Sequence, residues 1–227
     1  MSNIFRNIPN ILTVSRIVLA PIFFLFFIFN YKYIALICFF IASITDVLDG
    51  FLARKLNIVS KFGKLYDPLA DKILVFLGFL CIVIEPPFEF IPISDLIYSN
   101  PPITMYFSHM FNLQPNTVIY LILATLLFRD FIATTLREVK LRKEKIILKT
   151  NFIAKLKTVA TIISIHLYLL YQLFGGVDAF IIPKGAIGGP QVVWSILHFF
   201  DYFLYLTLLL SLFSLINYIN QYRSKDS

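Results

Sequence analysis

The 227-residue chain is too apolar for a soluble globular protein, because 59% of its residues are hydrophobic and 25 are phenylalanine, whereas soluble domains average about 45–50% apolar residues. Its net charge is +7, but it contains no soluble basic domain of the kind that binds nucleic acid. We therefore expect an integral membrane protein whose basic residues lie in cytoplasmic loops, against anionic lipid.

Six apolar segments are each about as long as a bilayer requires, roughly 20 residues. In chain order they are Ile11–Phe29, Tyr33–Leu52, Leu69–Ile84, Thr117–Leu136, Phe152–Leu173 and Val192–Tyr218. The third is short, so we expect its helix to begin near Tyr66, with Pro68 in the first turn, where a missing N–H costs little. The sequence predicts an all-α, polytopic membrane protein with six transmembrane helices and a single domain over residues 1–227.

Basic residues are distributed asymmetrically between the predicted loops. The loops after the second and fourth segments contain Arg54, Lys55, Lys61, Lys64, Arg137, Lys140, Arg142, Lys143, Lys145 and Lys149, whereas Glu85 to Pro115 contains no Lys or Arg. This bias places both termini in the cytoplasm and predicts an extracytoplasmic insertion at about 85–115. Its prolines argue against a helix through its middle, and we expect an inert surface insertion.

Four aspartates, Asp46, Asp49, Asp67 and Asp71, lie at the predicted cytoplasmic ends of the second and third segments. Each would cost roughly 2.5–3.5 kcal/mol at the centre of a bilayer, so the cluster needs cations. Residues three or four apart share a helix face, and the short loop between the segments lets the two helices pack antiparallel. Oxygen-only ligands favour Mg²⁺ or Mn²⁺, and two such ions would balance the four carboxylates in a phosphoryl displacement.

Small residues follow this cluster on the next helical turn. Gly50 and Ala53 would let a flat ligand approach the helix backbone, although either residue alone would equally permit close helix packing. A structural ion-pair network of the aspartates with Arg54, Lys64 and Lys72 is the alternative interpretation. An EF-hand is excluded, because its twelve-residue loop with a terminal glutamate is missing.

The pattern resembles the signature of the CDP-alcohol phosphatidyltransferases, and every position of that signature is matched. It reads Asp46-x-x-Asp49-Gly50-x-x-Ala53-Arg54, eight residues, Gly63-x-x-x-Asp67-x-x-x-Asp71. Four further stretches are similar to bacterial phosphatidylglycerophosphate synthases: NIPNILTVSR (7–16), YDPLADK (66–72), LRE (136–138) and KLKT (155–158).

The chain also departs from those synthases. It has Arg129-Asp130 where they usually have Arg-Glu, and Ala154 where they have Gly. Arg-Asp also occurs in the CMP-forming cardiolipin synthases, which share the NIPN and DPLADK stretches and remain the alternative.

The resemblance implies that an alcohol attacks the β-phosphorus of CDP-diacylglycerol and releases CMP. By position, Asp46, Asp49 and Asp67 would bind divalent metal, Mg²⁺ or Mn²⁺. Asp71 would bind the second ion and act as general base on the acceptor hydroxyl. The CDP site would be lined by Asn10, Thr13, Asp49, Gly50, Ala53 and Arg54.

The acceptor implied by the synthases is glycerol 3-phosphate, which brings a phosphate of its own. Arg129, Arg137, Lys155 and Lys157 lie at the predicted cytoplasmic ends of the fourth and fifth segments and would bind it, although each also fits the anchoring role of basic residues at that surface. The resemblance further implies a homodimer in a bacterial inner membrane.

Two other classes of membrane protein fit the sequence less well. Aspartate-rich prenyltransferases need two separate motifs on distant helices, whereas these aspartates all fall between Asp46 and Asp71. A transporter or channel would place its charges near the middle of the spans and would not need Arg54 or Gly63.

Overall fold

The computed structural model describes residues 3–56, 61–88, 101–144, 152–174 and 190–223. Side chains are described throughout these ranges except at 3–10, 46–56, 61–68, 137–138, 140, 141–144, 190–191 and 223. The described ranges contain seven helices and no strand, which confirms the all-α prediction. The helices are α1 (Asn3–Ile28), α2 (Lys32–Leu56), α3 (Lys61–Ile84), α4 (Ile103–Phe111), α5 (Pro115–Glu144), α6 (Phe152–Leu173) and α7 (Pro190–Arg223).

Four of these helices are long and apolar enough to cross a membrane, so the chain is an integral membrane protein. The spans are Ile11–Ile28, Pro115–Leu136, Phe152–Leu173 and Val192–Tyr222, and they match the first, fourth, fifth and sixth predicted segments. The apolar part of α2, Lys32–Thr45, is shorter, and α3 begins with a charged stretch. Large apolar side chains such as Phe128 and Phe131 are exposed, as lipid-facing residues of a membrane protein would be.

The helices form two compact units. The first unit contains α1, α2, α3 and the end of α6 from Tyr168 onwards. The second unit contains α4, α5, the rest of α6 and α7. The predicted aspartates all belong to the first unit, and the predicted acceptor-binding residues all belong to the second.

A tight turn connects α1 to α2. Asn30 has a φ of 66°, a left-handed conformation that asparagine tolerates better than most residues. The N–H of Tyr31 donates to the carbonyl of Phe26 at 2.8 Å, and that of Asn30 donates to Phe27 at 3.0 Å. These two bonds satisfy carbonyls that the end of α1 would otherwise leave unpaired. Because the connection is short, α1 and α2 pack as an antiparallel pair.

Small residues allow α1 and α2 to approach closely. Ala20, Ala35 and Ala42 are fully buried, as expected where membrane helices pack through small side chains. Phe23 and Phe39 fill the space between them in an edge-to-face contact, with ring centroids 5.1 Å apart. This pairing places the first turns of α1 beside the end of α2 that contains the aspartates.

Helix α3 begins earlier than the sequence predicted. It starts at Lys61, so the prediction that Pro68 lies in its first turn is wrong. Hydropathy identifies the apolar part of a helix, which contacts lipid. It does not identify the polar turns that precede this part, and α3 includes such turns. Pro68 therefore lies inside α3, where it cannot donate a hydrogen bond to the carbonyl of Lys64.

The end of α6 binds the end of α3. The Tyr168 hydroxyl lies 2.9 Å from the carbonyl oxygen of Cys81 and 2.8 Å from that of Glu85. The Gln172 side-chain amide also donates to the Glu85 carbonyl, at 3.1 Å. The Cys81 carbonyl also accepts the Glu85 N–H at 3.0 Å. The Glu85 carbonyl lies just beyond α3, where the helix supplies no donor, so Tyr168 and Gln172 complete this end of α3. Lys32, at the start of α2, forms an ion pair with the Glu85 carboxylate.

We predict that Tyr168→Phe lowers the free energy of unfolding by roughly 1 kcal/mol, the usual net value of one buried hydrogen bond. The ring would stay in place, and the last carbonyls of α3 would lose a donor. Unfolding of the purified protein in detergent measures the effect. Tyr202→Phe is the control, since Tyr202 is exposed; equal stability of the two variants would contradict the prediction.

A helix that the sequence did not predict lies within the 85–115 segment. Helix α4 contacts both α5 and α7. Pro101 and Pro102 precede it, with Pro102 at its N-cap, where proline is tolerated. Residues 89–100 of the predicted insertion lie outside the described residues.

Candidate active site

Helices α2 and α3 position the four predicted aspartates. Asp46 and Asp49 belong to α2, and Asp67 and Asp71 belong to α3. The two helices contact each other, and both contact α1. The backbone therefore places each pair at helical spacing on adjacent helices of one unit. The side chains of Asp46, Asp49 and Asp67 lie outside the described residues.

Asp71 forms an ion pair with an arginine of α1. Arg16 Nη1 donates to Asp71 Oδ1. The Arg16 side chain is only 1% exposed, whereas that of Asp71 is 44% exposed. A guanidinium buried in an apolar helix requires an acidic partner. The pair therefore joins α1 to α3 and orients the Asp71 carboxylate, which is still partly exposed.

Arg16 was not among the site residues predicted from sequence. The signal that could have identified it was an arginine inside an apolar span, which predicts a buried counter-ion. Thr13, predicted to bind CDP, lies three residues before Arg16 on α1 and is fully buried. Thr13 and Arg16 therefore share a face of α1, and the contacts of α1 bring it to α2 and α3.

The other predicted CDP-binding residues have a described backbone only. Asn10 lies in α1, and Gly50, Ala53 and Arg54 lie in α2. Their side chains lie outside the described residues. Asn10 lies about one turn before Thr13 on α1, and the α2 residues lie one to two turns after Asp46. Because α1 and α2 contact each other, these positions belong to neighbouring helices of the first unit.

The donor chemistry of this site suits a hard divalent cation. Among the side chains that the structure describes, no three His, Cys, Asp or Glu residues are arranged to hold a metal ion; of the four aspartates, only Asp71 belongs to that set. All four would supply carboxylate oxygens, which Mg²⁺, Mn²⁺ and Ca²⁺ prefer. The partial exposure of the Asp71 side chain is compatible with metal binding.

A second polar cluster lies in the second unit, and we call Arg129, Asp130 and Lys157 the Asp130 cluster. Lys157 Nζ donates to both carboxylate oxygens of Asp130, each at 2.6 Å. Arg129 Nη1 donates to Asp130 Oδ1 at 2.8 Å. Two cations thus share one carboxylate, which joins α5 to α6 and leaves the cluster with a net charge of +1.

Arg129 also joins α5 to α7. Its Nε donates to the Ser211 carbonyl at 2.9 Å, and its guanidinium carbon lies 5.9 Å from the centre of the Tyr218 ring. A guanidinium over an aromatic face is a favourable cation–π arrangement. Because Arg129 is buried, these partners fix its position.

The four residues predicted to bind the acceptor phosphate therefore differ in burial and in their partners. Arg129 and Lys157 are buried and bind Asp130, whereas Lys155 is exposed. The side chain of Arg137 lies outside the described residues. In the sequence, Asp130 was only a departure from the synthase pattern. Its contact with Lys157 could not be predicted, because it depends on how α5 packs against α6.

The fold and this site together define a polytopic helical membrane protein with an aspartate-rich centre on two adjacent helices. The chain matches the family described as CDP-alcohol phosphatidyltransferase over residues 6–213, and it belongs to that family. The family generally uses divalent metal ions, in agreement with the oxygen donors of α2 and α3.

Curated relatives are similar over different lengths of the chain. Proteins named CDP-diacylglycerol–glycerol-3-phosphate 3-phosphatidyltransferase from Bacillus subtilis and Aquifex aeolicus are 32% and 31% identical, covering 74% and 72% of this chain and 78% and 90% of their own lengths. A protein of the same name from Rickettsia typhi is 47% identical over 73 residues, 31% of this chain. The chain spans only 41% of the length of that relative. No solved structure matches the chain.

We predict that Asp130 and Lys157 are energetically coupled. Removing either partner leaves a charge without its ion pair, so Asp130→Asn and Lys157→Met should each lower the free energy of unfolding. The double variant should lose less than the sum, with a coupling of about 0.5–3 kcal/mol. Unfolding measurements on the four proteins give this value. Additive losses would mean that the pair contributes nothing to the packing of α5 and α6.

Proposed function

We propose that the chain transfers a phosphatidyl group from CDP-diacylglycerol to glycerol 3-phosphate, giving phosphatidylglycerophosphate and CMP. The observation that supports this most is the complete aspartate signature on α2 and α3, two helices in contact, with Asp71 oriented by Arg16. The names of the relatives from Bacillus subtilis and Aquifex aeolicus support the same donor and acceptor.

Asp71 acts as the general base in this proposal. Its carboxylate takes the proton of the acceptor hydroxyl, whose oxygen then forms a bond to the β-phosphorus of CDP-diacylglycerol as the bond to CMP breaks. Arg16 restricts the carboxylate to one orientation from the α1 side. Two divalent ions, Mg²⁺ or Mn²⁺, bound by Asp46, Asp49, Asp67 and Asp71, would offset the charge of the diphosphate.

The nucleotide lies along α1 and α2 in the proposal. It is bound by Asn10, Thr13, Asp49, Gly50, Ala53 and Arg54. Gly50 and Ala53 have little or no side chain and let the cytidine approach the helix backbone. Thr13 is buried on the face of α1 that also contains Arg16, which supports a place for it beside the donor.

The acceptor phosphate is bound by Arg129, Arg137, Lys155 and Lys157. Lys155 is exposed and suits direct contact with a soluble substrate, and a guanidinium such as that of Arg137 binds phosphate through two parallel hydrogen bonds. Arg129 and Lys157 contribute the net charge of the Asp130 cluster.

The proposed topology has six transmembrane helices, including α2 and α3, in a single domain. Both termini and the active site lie on the cytoplasmic side of a bacterial inner membrane, and residues 85–115 form an extracytoplasmic insertion. The distribution of Lys and Arg supports this orientation. The protein acts as a homodimer surrounded by membrane lipids.

One observation favours a second candidate, a CMP-forming cardiolipin synthase that uses phosphatidylglycerol as acceptor. Asp130 engages both Arg129 and Lys157, and so reduces the positive charge that a doubly charged phosphate would meet. A phosphatidylglycerol headgroup has no terminal phosphate and needs less positive charge.

An acceptor assay distinguishes the two functions. Purified protein in mixed micelles, supplied with CDP-diacylglycerol and Mg²⁺, should release CMP with glycerol 3-phosphate at least tenfold faster than with phosphatidylglycerol, inositol or serine. CMP release and the phospholipid product would both be measured. Turnover with phosphatidylglycerol and none with glycerol 3-phosphate would reject the proposed function in favour of the second candidate.

We predict that Asp71→Asn lowers kcat by at least about 100-fold, because the amide cannot take the proton of the acceptor hydroxyl. The change is nearly isosteric, so the protein should still fold and bind CDP-diacylglycerol. Glu85→Gln is the matched control, since it makes the same chemical change beyond the other end of α3. A kcat within threefold of wild type in Asp71→Asn would remove Asp71 from the reaction.

We predict that Arg137→Ala raises KM for glycerol 3-phosphate tenfold or more, equivalent to about 1.4 kcal/mol. The loss of a bidentate phosphate contact explains the effect, and KM for CDP-diacylglycerol should change much less. Arg142→Ala removes the same charge one or two turns further along α5 and serves as control. If both variants changed KM equally, Arg137 would be one of several surface charges rather than a phosphate ligand.

A further inference from the structure

Helix α4 is too short to cross a membrane and is not continuous with α5. Its nine residues span about 13 Å, against a hydrocarbon core of about 30 Å. It ends at Asn112, which has a φ of 53°, and the Leu113 N–H donates back to the Ser108 carbonyl at 2.9 Å. This end motif turns the chain away from the helix axis. Helix α5 then begins at Pro115, where a membrane span also begins.

One face of α4 packs against α7, another helix of the second unit. Thr104, Met105 and Ser108 are buried. The Thr104 N–H donates to Asp201 Oδ2 at 2.9 Å, and the Thr104 hydroxyl donates to Asp201 Oδ1. Asp201 belongs to α7 and is 1% exposed. A carboxylate at a helix N-terminus satisfies N–H groups that have no partner within the helix, so Asp201 fixes the start of α4.

The opposite face of α4 is apolar and exposed. Tyr106 and Met110 lie on this side, and Phe107 and Phe111 lie on the flank towards Tyr205 of α7. We call these four residues the α4 face, and Met110 is 76% exposed. Residues 106 and 110 lie on one side of the helix, opposite the buried residues. Helix α4 contains no Asp, Glu, Lys or Arg. An apolar, aromatic surface of this kind normally binds something other than water.

The α4 face is continuous with the lipid-facing surface of the second unit. Phe107 stacks on Phe111 and on Tyr205 of α7, with ring centroids 6.3 and 5.5 Å apart. Tyr202 and Leu206, beside Tyr205 on the same membrane span, are exposed. The surface that α7 presents to lipid therefore extends onto α4 without a break.

We propose that α4 is an interfacial helix whose α4 face inserts into the boundary between headgroups and acyl chains of the bilayer. Aromatic side chains favour that boundary, and a helix too short to span the bilayer can bury exposed apolar side chains there. His109 and Asn112 are exposed polar residues, and His109 lies on the flank of α4 away from Phe107. In this proposal they face water. The contact between Asp201 and Thr104 sets the depth of α4.

Spin labels on neighbouring residues test the location of α4. In a chain with Cys38→Ala and Cys81→Ala, Met110→Cys or His109→Cys would be labelled and placed in vesicles of phosphatidylethanolamine and phosphatidylglycerol. At Met110 the label should collide more often with oxygen, which partitions into lipid, than with a water-soluble nickel chelate. At His109 the label should collide more often with the nickel chelate than with oxygen.

Two results would overturn the proposal. The label at Met110 could collide mainly with the nickel chelate, which would place the α4 face in water. Alternatively, it could be protected from both reagents and show dipolar broadening between labels, which would place a second copy of the chain on this face.

Two single substitutions in α4 test the role of Asp201. Thr104→Val removes the hydroxyl that binds Asp201 and should increase the mobility of the Met110 label at least twofold. Ser108→Ala is the control, because the Ser108 hydroxyl donates to the Met105 carbonyl within α4. Equal mobility in the two variants would contradict the claim that Asp201 fixes α4.

Discussion

The ion pair between Arg16 and Asp71 is the contact on which the proposed active site depends. It places a guanidinium inside an apolar helix, where it must have an acidic partner, and that partner is the residue that we propose as the general base. Because Asp71 is 44% exposed, water screens this pair, and the loss of one charge costs less than it would in a fully buried pair. The same contact therefore fixes α1 against α3 and orients Asp71.

Similar contacts link other helices, and each joins side chains that would be costly alone. Lys32 of α2 pairs with Glu85 at the end of α3, Asp130 of α5 binds Lys157 of α6, and Asp201 of α7 binds Thr104 of α4. In lipid there is no hydrophobic force between helices, so polar contacts and close packing determine which helices associate. These contacts thus hold neighbouring helices together within each unit.

Much of this organisation follows from the sequence, and the remainder depends on contacts between distant residues. The lengths of the apolar segments predicted four membrane spans to within a few residues. The helical spacing of the aspartates predicted that they lie in pairs on two adjacent helices. The start of α3 was misplaced because hydropathy reports lipid contact rather than helix length. Arg16 and Asp130 were missed as site residues because their partners, Asp71 and Lys157, lie on other helices. Helix α4 was missed because the prolines before it were interpreted as breaking a helix.

The central claim is that the carboxylates of α2 and α3 bind divalent cations beside the CDP-lipid. Titration of the purified protein with Mn²⁺ in the presence of CDP-diacylglycerol, followed by electron paramagnetic resonance of the free ion, counts the bound ions directly. We expect two bound Mn²⁺ ions per chain, displaced by Mg²⁺, and the loss of at least one of them in Asp71→Asn. A wild-type protein that binds no Mn²⁺ under these conditions yet releases CMP would contradict it.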